Sequence, residues 1–137
     1  MKKEKSCGAV VFTKINNEIK FLIEEMVEGH FAFPKGHVEN DESDIETAKR
    51  EIKEETGLDV MFLSCFKEST HYYPMQDVEK KVVYFLAEAN VIGNLKVQHD
   101  EVKEIYFLNY QEALNALTYD NDKDVLREAN EYLTNMK

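Results

Sequence analysis

Apolar residues follow two rhythms along the chain, and the change from one to the other marks its elements. Cys7 to Thr13 is a run of small and β-branched residues that reads as a buried strand. Ile15-Asn16-Asn17-Glu18 supplies turn residues, and Ile19 to Glu25 returns as the second strand of a hairpin. Farther on, Ile45, Ala48 and Ile52 recur at helical spacing, with Glu46, Lys49 and Lys53 at solvent positions. Asp59 to Glu68 and Lys80 to Ala89 then read as core strands, Val91 to Val97 as a weaker segment, and Glu104 to Leu108 as one more short strand. Gln111 to Leu117 and Asp122 to Leu133 have helical composition, with Leu114, Leu117, Val125, Leu126, Ala129, Tyr132 and Leu133 as packing positions.

Two stretches break the pattern. His30-Phe31-Ala32-Phe33-Pro34-Lys35-Gly36-His37 is expected to be a loop, because Pro34 and Gly36 call for irregular backbone. Ser69 to Glu79, with His71, Tyr72, Tyr73 and Pro74, is expected to be an aromatic loop overhanging a pocket. Strands on either side of one central helix, with helices at the end, argue for an α/β sandwich on a mixed sheet.

The 137 residues, 43% of them hydrophobic, suit a single domain spanning residues 1–137. A net charge of −10 disfavours a general nucleic-acid binder and an anionic membrane surface. Cys7 and Cys65 are too few for a disulfide framework and read as reduced packing thiols. The apolar run after Met1-Lys2-Lys3-Glu4-Lys5 is strand-like rather than a signal-peptide core, and no stretch approaches a membrane span. The expectation is a cytoplasmic protein, with a monomer favoured and oligomerisation open.

The helix carries the chemistry. Glu51, Glu54 and Glu55 stand at i, i+3 and i+4, expected to share one narrow side of two turns. Like charges at this spacing destabilise an exposed helix by roughly 0.2–0.5 kcal/mol a pair, so three together call for a compensating cation. Grouped carboxylate oxygens suit Mg²⁺, with Mn²⁺ as a substitute. Ser43 with Glu46 forms a capping box at the helix start, and Gly57-Leu58 is a left-handed stop. Arg50 lies four residues from both Glu46 and Glu54 and can tie a carboxylate into position.

Gly36, five residues, Glu42, seven residues, then Arg50-Glu51-Ile52-Lys53-Glu54-Glu55-Thr56-Gly57-Leu58 resembles the Nudix box, G-x5-E-x7-R-E-U-x-E-E-x-G-U with U a bulky aliphatic, at every fixed position. The resemblance implies a Mg²⁺-dependent hydrolase of nucleoside diphosphates linked to a further group, on a Nudix-type alpha-beta-alpha sandwich with a catalytic loop-helix-loop. His30, Pro34 to Glu39, Glu46-Thr47-Ala48, Phe66-Lys67, Tyr72 and Val83 to Glu88 further resemble the asymmetrical diadenosine tetraphosphate hydrolases of that family. Carried over by position, that likeness makes Gly36, Glu51, Glu54, Glu55 and Glu101 metal ligands, with Arg50 among the catalytic residues. It makes His30, Lys35 and either Lys80 or Lys81 contacts to the polyphosphate, and Tyr72 (or its neighbour Tyr73) and Tyr119 holders of an adenine ring. Glu39 and Glu42 are supporting or helix-start carboxylates.

The chemistry so implied is hydrolysis of diadenosine tetraphosphate to ATP and AMP. A tetraphosphate brings about four negative charges into an acidic protein, so metal and a few Lys or His donors must offset them. Metal also lowers the pKa of a bound water, and a carboxylate among Glu51, Glu54 and Glu55, with Glu101 next, takes its proton. The alternatives are another nucleotide substrate (a nucleoside triphosphate, a capped RNA 5′ end or a nucleotide sugar) and a sensor without turnover. The intact carboxylates speak against the sensor.

Overall fold

A parallel seam between two antiparallel hairpins builds the sheet. The computed structural model describes residues 1–90, 97 and 100–136. Strands β1 (Lys2–Ile15) and β2 (Glu18–Met26) form the first hairpin. Its tip is Asn16-Asn17, both at positive φ (52° and 67°), the left-handed pair that a tight two-residue turn requires and asparagine tolerates. Strands β5 (Val60–Met75) and β6 (Val78–Ala89) form the second. β1 and β6 run parallel from Lys2 opposite Val78 to Phe12 opposite Glu88. Three shorter strands complete the sheet: β3 (Phe31–Ala32) and β7 (Val102–Leu108) pair with β2, and β4 (Lys35–His37) pairs with β1. The main order is β3-β2-β1-β6-β5.

Alternation along the strands sends apolar side chains to both faces. On one, Val10, Phe12, Phe21, Ile23 and Tyr84 pack under α2 (Tyr110–Ala116) and α3 (Asp120–Thr134) through Ala113, Leu117, Val125, Leu126, Ala129 and Leu133. On the other, Cys7, Ala9, Val11, Leu22 and Val83 pack under Ala48 and Ile52 of α1 (Asp44–Thr56). The result is the expected alpha-beta-alpha sandwich, with α1 the one helix on its face among the described residues.

Helix α1 begins and ends as its sequence predicts. The Ser43 hydroxyl accepts from the Glu46 amide at 3.2 Å, and the Ser43 amide donates to Glu46 Oε1 at 2.8 Å. Gly57 closes the helix at φ 78°, its amide donating to the Lys53 carbonyl. Ile45 departs from the expected stripe: it is 41% exposed, because it lies in the first turn, ahead of the stretch that rests on the sheet. Arg50 pairs with Glu54 but not Glu46, whose carboxylate is engaged at the cap.

Both expected loops contain strands. Residues 69–75 continue β5, with His71 opposite Lys81 and Tyr72 opposite Lys80, so the connection shrinks to Gln76-Asp77. Pairing with β6 overrides the turn-forming composition, and Pro74 falls in the irregularity between Tyr72 and Met75 on an edge strand, where a missing N–H is tolerated. Segment 30–37 contributes β3 and β4 on either side of Phe33-Pro34. The weak segment expected over 91–97 lies outside the described residues apart from position 97.

The loop between β4 and α1 is fixed by a single guanidinium. Arg50 Nε donates to Glu42 Oε2 at 2.7 Å, Nη2 to the His37 carbonyl at 3.0 Å, and Nη1 to Glu51 Oε2 at 2.6 Å. The Glu39 amide and the Thr47 hydroxyl also donate to Glu42. These bonds, Arg50 first, hold the Glu42 carboxyl down at about 2, against an ordinary value of 4.5. A carboxyl depressed in the folded state stabilises above its unfolded pKa and loses that contribution as pH falls toward its folded one. Thermal melts of the wild type and Glu42→Gln are expected to differ most above about pH 4.5 and to converge toward about pH 2. A gap that does not change with pH would remove Glu42 from the acid-sensitive contacts.

Candidate active site

Two glycines let three elements close on one another. Gly8 of β1 faces Lys35 of β4, and a Cβ there would collide with the Pro34 carbonyl and with Lys35. A Cβ on Gly36 would collide with the Glu51 carboxyl. Only glycine leaves the space that this carboxylate fills.

Beneath Gly36 lies a cavity of about 400 Å³ lined by Glu24 of β2, Glu51 and Glu55 of α1, Lys35, His30, Lys80, Asp100 and Glu101. The Val27 amide donates to the Glu101 carbonyl at 2.8 Å, which brings the segment before β7 onto its rim. The three helix carboxylates do not share one side. Glu51 and Glu55 are buried at 7% and 4% exposure, whereas the Glu54 side chain is 47% exposed and turned to Arg50. Helical geometry explains the split: residues three and four beyond Glu51 diverge by about 100°, to opposite sides of it. Glu55 turns inward and Glu54 outward.

Glu24 escaped the sequence reading. It is wholly buried, and neither carboxylate oxygen meets a hydrogen-bond donor. Its signal was faint: an acid at the position that shares a face with Leu22 and Met26. Burial raises the Glu24 carboxyl to about 7, opposed by the adjacent Glu55 carboxyl, increased by the Glu51 charge and opposed again by Lys35. Burial, followed by the Glu24 charge, holds the Glu55 carboxyl far above the usual range.

A second cavity of about 480 Å³ adjoins the first and shares His30, Lys35 and Lys80 with it. Tyr72, Pro74, Tyr119 and Asp122 line its far side. Phe31 and Thr118 set this wall: the Phe31 amide donates to Thr118 Oγ1 at 2.8 Å, and the Thr118 amide returns a bond to the Phe31 carbonyl. Tyr119 follows directly and sits 5.8 Å, ring to ring, from His30. Lys80 Nζ lies 5.9 Å from the Tyr72 ring centre. Alternation separates the two ambiguous pairs. Lys80 and Tyr72 face the cavity, while Lys81 lines neither cavity and Tyr73 is 60% exposed and donates to Glu79. Asp122, also unanticipated, is buried with Oδ1 accepting from the Tyr84 hydroxyl at 3.0 Å.

The acidic cavity fits a hard divalent cation. Its donors are oxygens, Glu24 brings two orphaned carboxylate oxygens, and the space left by Gly36 keeps the Glu51 carboxylate against the backbone. Among the described residues, no three acidic or histidine groups are already drawn together at binding distances, and Arg50 occupies one Glu51 oxygen.

The sequence matches the NUDIX domain over residues 7–129. It is 32% identical over 143 residues to the asymmetrical bis(5′-nucleosyl)-tetraphosphatase of Mus musculus, covering 94% of this chain and 95% of that protein. Identity to the enzyme of the same name from Sus scrofa is 32% over 146 residues, covering 96% and 97%. A crystal structure of a C. elegans Ap4A hydrolase binary complex superposes with a TM-score of 0.88 at 25% identity, over 96% of this chain and 98% of that one. Members of this family in general use a divalent metal ion and act on small nucleotides. The chain therefore belongs to the NUDIX family and is a hydrolase acting on acid anhydrides.

Proposed function

We propose that this chain, acting as one domain with Mg²⁺ (or Mn²⁺ in its place), hydrolyses diadenosine tetraphosphate to ATP and AMP. The observation that carries the reading is the pair of adjoining cavities, one acidic and one aromatic, with His30, Lys35 and Lys80 at their junction. A nucleotide with a polyphosphate chain has the matching parts in the matching order. Its base belongs beside Tyr72 and Tyr119, its phosphates over the cationic junction, and its scissile phosphorus toward the carboxylates. The likeness to the mammalian tetraphosphatases over nearly the whole chain supports this substrate over other nucleotides.

Gly36 through its backbone, with Glu51, Glu54, Glu55 and Glu101, would hold the ion; Glu54 and Glu51 reach it by releasing or sharing Arg50. When bound, such an ion neutralises charge on the phosphoryl oxygens and lowers the pKa of a coordinated water. Lys35, Lys80 and His30 orient the chain and offset its remaining charge. A carboxylate among Glu51, Glu54 and Glu55, with Glu101 next, would accept the water's proton; Glu55 faces the cavity, Arg50 does not engage it, and it could do so once a bound cation offsets the burial and the Glu24 charge that hold its pKa up. Water then attacks the phosphorus bearing one adenosine; its bond to the bridging oxygen breaks, AMP takes the new oxygen and ATP departs.

Product chromatography tests the reading. Diadenosine tetraphosphate with Mg²⁺ is expected to give equal ATP and AMP, and chelation should stop the reaction. An intact dinucleotide beside a nucleoside triphosphate converted to its monophosphate and pyrophosphate would overturn the substrate assignment. Glu55→Gln should lower kcat by about 10²- to 10⁴-fold with the melting temperature preserved; unaltered turnover would remove Glu55 from the chemistry. Tyr72→Ala should raise KM in keeping with the loss of roughly 1–3 kcal/mol of base stacking, while Tyr73→Ala leaves it unchanged. Equal effects from the two tyrosines would argue against stacking at Tyr72.

A further inference from the structure

Glu24 occupies a position where the fold alone favours an apolar residue. It lies well inside the sheet, in register with Ala32 of β3 on one side and Ile105 of β7 on the other. Its side chain shares a face with Leu22, which packs in the core beneath α1. A buried carboxylate without partners is strongly disfavoured unless some group compensates it. Asp122, also buried, has one oxygen accepting from the Tyr84 hydroxyl and one without a partner, whereas Glu24 has no donor on either oxygen. The groups facing it from the packed elements are Glu55 and Glu51 of α1 and Lys35 of β4. Of these, Glu51 adds negative charge, while the adjacent Glu55 carboxyl and Lys35 oppose the rise of its pKa.

We propose that Glu24 is a further ligand of the divalent cation, set on β2 opposite Glu51 and Glu55 of α1. Glu24 lies outside the 36–58 pattern from which the helix ligands are read. A carboxylate on β2 lets the ion bridge sheet and helix, so that binding ties α1 to its own core. The two orphaned oxygens are the unmet demand, and a hard cation meets it with the oxygen donors it prefers. The inference rests on the metal-dependent reading above, but its test needs no nucleotide and no turnover.

Mn²⁺ is titrated into the protein and the free ion followed by its paramagnetic resonance signal, for the wild type, Glu24→Gln, Glu24→Leu and Glu25→Gln. Glu25 is the control, since its carboxylate accepts from Tyr106 and pairs with Lys103. Both Glu24 variants are expected to bind Mn²⁺ about 10- to 100-fold more weakly, with Glu25→Gln within about twofold of the wild type. Melting curves give a second readout. Metal-free Glu24→Leu should melt above the wild type, and the rise in melting temperature on adding Mn²⁺ should shrink in that variant. Wild-type affinity in folded Glu24→Gln and Glu24→Leu overturns the proposal, as does a wild type that binds no Mn²⁺. Weakened binding in both variants supports it even where diadenosine tetraphosphate is not hydrolysed, which separates this inference from the substrate assignment.

Discussion

One guanidinium holds the acidic half of the molecule together. Arg50 donates to Glu42, Glu51, Glu54 and the His37 carbonyl, joining the strand before the helix, the intervening loop and the helix itself. Its fork geometry serves several acceptors at once, which a lysine ammonium does not reproduce. Without it, Glu51 and Glu54 would lose the cation that bonds both, and the loop after β4 would lose its tie to the helix. Because Arg50 reaches Glu51 and Glu54 but not Glu55, it also sorts the carboxylates into two held and one unheld.

The acidic cavity sets function against stability. Glu24, Glu51 and Glu55 are all buried, and the first and last lie side by side with raised pKa values. A chain selected only for stability would bury apolar groups there. The cost is concentrated around one space that also holds Lys35, His30 and Glu101. Carboxylates gathered at this cost suit a site that holds a divalent cation.

How much of this was legible in the sequence depends on the range of the forces involved. The ends of α1 were readable, since a capping box and a left-handed glycine are local. So were the first hairpin and the two terminal helices, whose turn residues and periodicity lie within a few positions. The second hairpin was not: Ser69 to Glu79 carries turn-like composition, and only the partner strand holds Tyr72 opposite Lys80. The same register decides that Lys80 rather than Lys81 reaches the cavities. Glu54 was assigned to the inner face from its spacing, and the 100° step of the helix sent it outward. Glu24 left the weakest trace, because an acid beside another acid near the end of a strand reads as a solvent position until β3 and β7 close over both of its edges.

Net charge, read alone, points away from a polyanionic ligand, yet the arrangement of charge points toward one. With 27 acidic and 17 basic residues, the protein as a whole repels phosphate. Lys35 and Lys80 nevertheless stand where the two cavities meet, with His30 beside them. A field falls off within roughly 10 Å at ordinary ionic strength, so a bound polyphosphate responds to these groups more than to distant surface carboxylates. The acids inside the cavity lie closer and would repel it, so the proposed function calls for a compensating cation in binding as well as in reaction. On the proposed reading, a divalent cation held beside Glu51 and Glu55 would offset these acids, leaving Lys35 and Lys80 to set the sign of the pocket toward phosphate.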